Sequence, residues 1–315
     1  MTAEPDVGIS GRGSGVSAQA AMEYLMTYGW AIVILAVVLG ALAYLGVFNP
    51  IDYAPKAQPG SCSIYRPFGP NTTTDINTAG VCNGEMPQYV ADFVETATSG
   101  SNIIIPDSGV LDPTNEVTIA LWIKPSSQIP LNPGGTSYHL PISKGVEASA
   151  YDIWGGNGNS PPEFQMEIQA GGVVYDSPAY IASVGKWYFV VGTYDGSHEH
   201  LYVDGSEISP PGTPASGQIN EAPVDLNIGS DGNSAGTRYY NGTISNVQIY
   251  NTALDSNNIE ALYAEGIGGA PIDLQNLAGW WPLNGNANDY SGNGNNGVPV
   301  NVLFTTNWYN GYSQP

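Results

Sequence analysis

The chain divides by its pattern of apolar and polar positions. From Tyr24 to Ile51 no charged residue occurs, and Trp30 to Phe48 is almost wholly apolar. Those 28 uncharged positions would form a helix about 42 Å long, more than the roughly 30 Å hydrocarbon thickness of a bilayer. A cleaved secretion signal has a shorter apolar run closed by a small-residue cleavage site; this run is long and stops at Asn49-Pro50. Residues 51–87 then lose apolar periodicity and become rich in Pro and Thr, which predicts a linker. Beyond Tyr89 the pattern changes again. Val117–Lys124, Trp187–Tyr194 and Ile244–Tyr250 alternate or run continuously apolar, as short strands of a β-sandwich do. Asp195-Gly196, Asp204-Gly205, Asp231-Gly232-Asn233 and Asn241-Gly242 supply the positive φ that tight turns need. Asp255-Ser256 ahead of residues 257–263 predicts a short capped helix.

Composition narrows the partners. Lys+Arg 7 against Asp+Glu 28 gives a formal charge of −21, whose field repels phosphate backbones and excludes nucleic acid as a partner. The two cysteines, Cys62 and Cys82, both fall in the polar linker. In an exported chain such a pair predicts a disulfide, worth about 3 kcal/mol in the chain-entropy picture, with two free buried thiols as the alternative. No Cys/His cluster points to zinc. Two sequons, at Asn71 and Asn241, mark candidate glycosylation sites and agree with an extracytoplasmic carboxyl part.

The segment Gln19-Ala-Ala-Met-Glu23-Tyr-Leu-Met-Thr-Tyr-Gly-Trp30, leading into the apolar run, resembles the class III signal peptide of archaeal type IV pilins. That resemblance implies cleavage between Ala18 and Gln19 by a prepilin peptidase, with the helix kept on the mature chain and inserted in the membrane before assembly. It also implies that Glu23 neutralises the terminal amine of a neighbouring subunit in a helical filament, with a place at the helix amino end in the headgroup region as the alternative. A lone charge near an apolar helix bundle is costly unless paired, so the role is physically sensible.

In the carboxyl part, Val117-Thr-Ile-Ala-Leu-Trp-Ile-Lys-Pro125, Lys186–Gly196, Leu201-Tyr-Val-Asp-Gly205, Leu226–Ser230, Tyr240–Leu254 and Ile259–Tyr263 keep the order seen in laminin G-like, concanavalin A-like jelly rolls. The resemblance covers Gln88 to Glu265. The implied fold is mainly β: an N-terminal hydrophobic α-helix followed by a laminin G-like antiparallel β-sandwich. Gly279–Gly285 with Asp289–Gly297 resembles the strand and loop that normally open this family's domain. It either completes the sandwich from the other end or starts a second unit. The expected organisation is a leader (1–18), a pilin-type helix (19–50), a linker with a disulfide (51–87), a jelly roll (88–268) and a tail (269–315).

Candidate sites follow. Asp289, Asn293 and Asn295 gather oxygen donors in a glycine-rich loop, as Ca2+ requires, with an Asx-type turn as the alternative. Trp154 and Tyr239 stand in loop-like contexts and are candidate glycan-binding aromatics. Glu163 and Glu167 share one strand face but lie about 13 Å apart, with Gln165 where a hydrolase would need a further acid. They are expected to be solvated rather than catalytic. His198-Glu199-His200 is expected at a solvated hairpin tip. The reading is a non-enzymatic pilus-like surface subunit carrying a lectin-like adhesion domain outside the cell. The alternative is a membrane-anchored, non-polymerising glycan-binding surface protein.

Overall fold

The computed structural model describes residues 33–40, 62–65, 77–80, 86–94, 100–126, 139–146, 149–155, 161–231, 238–308, 310–313 and 315. The chain separates into two units, Met1–Pro55 and Lys56–Pro315. In the first, residues 33–40 form a helix (α1) whose Val33, Ile34, Leu35, Val37, Val38 and Leu39 are all exposed. Among the described residues no helix is long and apolar enough to cross a membrane. Ala18, Gln19, Glu23, Asn71 and Cys82 lie outside the described residues, and so do the cleavage, assembly, disulfide and linker-glycan expectations.

The second unit opens with a hairpin of β1 (Cys62–Tyr65) and β2 (Asn77–Gly80), paired Cys62↔Gly80 to Tyr65↔Asn77. This hairpin lies within the expected linker; backbone pairing needs no apolar alternation, so it left no periodic mark in the sequence. The sandwich follows with β3 (Val90–Phe93), β4 (Asn102–Ile105), β5 (Val117–Pro125), β6 (His139–Lys144), β7 (Tyr151–Gly155), β8 (Glu163–Ala170), β9 (Val173–Asp176) and β10 (Tyr180–Ile181). Then come β11 (Tyr188–Tyr194), β12 (His198–Val203), β13 (Ser206–Glu207), β14 (Thr213–Pro214), β15 (Leu226–Ile228) and β16 (Gly242–Tyr250). A helix, α2 (Ser256–Glu265), precedes β17 (Leu277–Trp281), β18 (Val298–Val300) and β19 (Leu303–Thr305).

Two antiparallel sheets result. The first runs β10-β8-β7-β6-β15-β4-β18 with β9 on β8; the second runs β13-β12-β11-β5-β16-β3-β19 with β14 on β12 and β17 on β16. Alternate residues meet between the sheets: Val117, Ile119, Leu121 and Ile123 of β5 face Phe164, Met166 and Ile168 of β8 in one buried cluster. The intervening Ala120, Trp122, Phe189 and Val191 point the other way into a second cluster with Ile259 and Leu262 of α2 and Trp308. Burial on both faces is why β5 and β11 read as continuous apolar runs rather than alternating ones. Trp122 lies 5.4 Å from Phe189 and 5.9 Å from Tyr263, ring centre to ring centre, and such pairs add about 0.5–1.5 kcal/mol each beyond area burial. The start of α2 is fixed as expected: Asp255 accepts the Asn258 N–H at 2.8 Å. The Asp204-Gly205 turn between β12 and β13 has φ 51° and 79°, the pair of positive values its sequence implies.

The tail completes the sandwich. β16 pairs with β5 along its length; on its other side β3 takes Gly242–Ile244 and β17 takes Val247–Tyr250. β18 then adds to β4 and β19 to β3, so the tail extends both sheets. Trp281, Leu283 and Ala287 join the inter-sheet core.

The hairpin-tip expectation for His198-Glu199-His200 is also corrected. All three lie within β12, and the tip is Asp195-Gly196-Ser197, where Asp195 accepts the Ser197 and His198 N–H groups. Alternation then turns Glu199 inward with Leu201 and Val203, leaving it 0% exposed. The strand was hidden because polar residues fill its first three positions. Glu167 likewise is buried, at 8% exposure, rather than solvated; it stands between Asp152 of β7 and Asp176 of β9 on the outer sheet face.

Candidate functional site

Strand register gathers five chain segments at one end of the sandwich. β6 starts opposite the end of β7, His139↔Gly155, and β16 starts opposite the end of β5, Gly242↔Pro125. β8 begins just after Pro162. The result is a small pocket open to solvent. Pro125, Pro141, Pro162 and Phe164 supply apolar wall, and Tyr240 closes it; His139, Glu163 and Asn241 are the other polar side chains present. Proline adds apolar surface without bringing an N–H donor.

The polar side chains are held in defined states. His139 is 2% exposed, and its Nδ1 lies 2.5 Å from the Tyr239 carbonyl oxygen. A carbonyl can only accept, so Nδ1 carries the proton and Nε2 is the acceptor nitrogen. Burial pushes the imidazole down to about 4, the Tyr239 bond opposing, so the ring is neutral at physiological pH. Asn241 is fixed twice by Ser126: its carbonyl accepts the Ser126 N–H at 3.3 Å and its Oδ1 accepts the hydroxyl at 3.1 Å. The Tyr240 N–H donates to Gly229 at 2.9 Å, and Gly229 in turn donates to Pro141, tying the segment to β6. The Tyr240 hydroxyl is buried and has no hydrogen-bond partner among the described residues. Burial, with Asp92 nearby, raises the phenol well above its ordinary value. A buried hydroxyl left unbonded costs about 1–3 kcal/mol.

Of the two expected aromatics, Trp154 immediately precedes Gly155 of the pocket and sits half-buried on the outer sheet face opposite Gln165. Tyr239 reaches the pocket by its backbone, through His139. Its ring packs onto Gly100, where a Cβ would fall 2.0 Å from Cγ of the tyrosine, so glycine is required there. The wall residues His139 and Phe164 were not singled out from sequence, whereas Tyr240 adjoins the candidate Tyr239 in the Arg238-Tyr239-Tyr240 run. Pro161-Pro162-Glu163-Phe164 and Tyr239-Tyr240-Asn241, two proline- or tyrosine-dense starts of strands, are the signal that marks them. Asn241 enters the pocket wall, while Thr243 of the same sequon is built into β16, 5% exposed.

The Asp289 loop brings its three expected residues together in a different role. Asp289 Oδ1 accepts the N–H groups of Trp280 and Ser291 at 3.0 and 2.8 Å. Its Oδ2 accepts the Ser291 hydroxyl and the Asn295 N–H at 2.9 and 2.8 Å. Asn293 and Asn295 turn their amide nitrogens, not their oxygens, onto the Leu277 and Ala278 carbonyls at 2.9–3.0 Å. The carboxylate that would bind Ca2+ is spent on four protein donors, so the set does not fit the ion. Among the described residues no group of three or more His, Cys, Asp or Glu is arranged to hold a metal.

The sequence model of a laminin G-like family, described as the concanavalin A-like lectin/glucanases superfamily, matches residues 97–260, just over half of the chain. No curated protein matches. Among solved structures, the chain is similar to a candidate carbohydrate-binding protein from Bacteroides ovatus, at 15% identity and TM-score 0.49 over 74% of this chain and 64% of that one. It is also similar to the heptameric SAP-like pentraxin of Limulus polyphemus, at 12% identity and TM-score 0.47 over 69% of this chain and 94% of that one. The sialidase of Trypanosoma rangeli follows at 14% identity and TM-score 0.39, over 57% of this chain and 31% of that one. The chain thus spans under two thirds of the length of the Bacteroides protein.

Proposed function

Because the chain belongs to the concanavalin A-like lectin/glucanases superfamily, in its laminin G-like form, we propose that it is a surface adhesion protein whose sandwich binds glycans. The pocket between the ends of β5, β6, β7 and β8 is the binding site. One observation carries this: apolar and aromatic wall from Phe164, Tyr240 and three prolines surrounds a few fixed polar groups, the composition that sugar rings with one apolar face require.

The amino-terminal part provides the attachment. The uncharged run Tyr24–Ile51, in which α1 exposes six large apolar side chains, supports assembly as an archaeal type IV pilus-like subunit. In this reading a prepilin peptidase cuts before Gln19, and Glu23 pairs inside the filament. Sequencing the amino terminus of protein sheared from cells, beside negative-stain images, tests attachment. A start at Gln19 in a filament fraction is expected, whereas an uncut chain held in membranes would leave the non-polymerising anchored lectin. Retention of the full chain on immobilised glycans, competed by free sugar, tests the pocket.

A further inference from the structure

Resting on the reading of the pocket as a glycan site, we propose that it takes sugars without negative charge, neutral or amino sugars, and rejects sialylated, uronic and sulfated ones. Recognition of an acidic sugar needs a cation, normally an arginine or lysine aimed at the carboxylate or sulfate. Among the described residues none lines this pocket: the charged side chain there is Glu163, and His139 is neutral.

The cations of the sandwich are engaged elsewhere. Lys124, at the end of β5, donates to the Trp308 and Asn310 carbonyls at 3.3 and 3.4 Å and lies 5.2 Å from the Trp187 ring centre, on the far face of its sheet. Arg238, one residue before Tyr239, pairs with the buried Asp231 at 3.5 Å. Lys144 is wholly buried against Asp107 and Asp112, and Lys186 pairs with Asp204 at 3.5 Å. Moving Lys144 or Arg238 to the pocket would strand an acidic partner in or near the core.

The chain segments that continue the pocket's strands bring no cation either. Residues 127–138, 156–160 and 232–237 contain no Lys, Arg or His, and no acid. Meanwhile the outer face of β8 carries Glu163 at the pocket end and Glu167 beyond it, with Asp152 and Asp176 opposite Glu167. With a net charge of −21 on the chain, an anionic sugar meets repulsion on approach and no counter-charge on arrival. An amino sugar meets the reverse.

The test uses the full chain, purified in detergent, on an array of galactose, N-acetylglucosamine and glucosamine beside sialic acid, glucuronic acid and a sulfated galactose. Binding to the first three and not to the last three is expected. Glu163→Gln should weaken glucosamine binding about tenfold, the scale of one charged hydrogen bond, and leave N-acetylglucosamine within about twofold. Glu163→Lys should admit sialic acid. Wild-type binding of acidic sugars as tight as that of neutral ones overturns the proposal while leaving the pocket as a glycan site. Binding of neither class removes the pocket reading and the proposal together. So does binding that survives filling the mouth with Asn241→Trp or Glu163→Trp in a variant that melts like the wild type.

Discussion

Two regions of this sandwich differ in sequence and in what their polar atoms do. The loop Asp289–Asn296 is dense in Asp, Asn, Ser and Gly, the composition of a cation site, yet its hydrogen bonds close on themselves. The pocket is dense in proline and aromatics, yet it holds the Tyr240 hydroxyl without a protein partner among the described residues. Polar richness in sequence therefore does not by itself leave polar atoms free for a ligand. The loop's closed circuit reaches the core through Trp281, whose Nε1 donates to the Asn295 carbonyl at 2.8 Å.

The largest effect is expected at that junction. Trp281→Ala removes a fully buried indole and should cost about 3–5 kcal/mol in chemical denaturation of the full chain, showing that the tail is part of one core. Trp281→Phe should cost much less. A tail that forms a separate unit would melt in its own transition.

Asp289→Ala should come next, losing about 2–3 kcal/mol because it leaves the Trp280, Ser291 and Asn295 donors without their acceptor. An unchanged melting temperature would mean the circuit is ornamental.

Glu199 is an unpartnered acid inside the core. Among the described residues neither of its carboxyl oxygens has a hydrogen-bond partner within normal geometry. Burial, then Asp176, then Glu167 raise its carboxyl from 4.5 to about 9, so the folded chain keeps the proton that the unfolded chain releases. Its contribution to stability is therefore full below 4.5 and declines as pH rises toward 9. Glu199→Gln should flatten that decline in pH-dependent melting, and an unaltered profile would place the charge elsewhere.

The smallest effect expected is none. Calcium should leave the melting temperature of the chain unchanged, whereas saturating a real site adds about 2.7 kcal/mol at a hundredfold excess over Kd, a rise of several degrees.

What could be read in advance follows from which interactions are local. β5, β11 and β16 announced themselves because packing on both faces demands apolar residues in sequence, and α2 because Asp255 and Asn258 are three residues apart. The Asp204-Gly205 turn was legible for the same reason. The pocket was not. His139, Glu163 and Tyr240 are far apart in the chain and meet only through the registers His139↔Gly155 and Gly242↔Pro125. Trp154 and Tyr239 came within one residue of it because aromatic density marked the right strand ends, although the Tyr239 ring serves as packing over Gly100. Glu199 was misplaced because polar residues at the start of β12 imitate a turn, and the burial that overrides them comes from the opposite sheet. The Asp289 loop was legible as a cluster, but only coordinates show which atom of Asn293 and Asn295 faces inward.

Hydrogen–deuterium exchange of the full chain with and without saturating N-acetylglucosamine sets the two regions against each other directly. The account predicts added protection at His139–Leu140, Glu163–Phe164 and Tyr240–Asn241 with no change across Asp289–Asn296. Protection confined to that loop would contradict it.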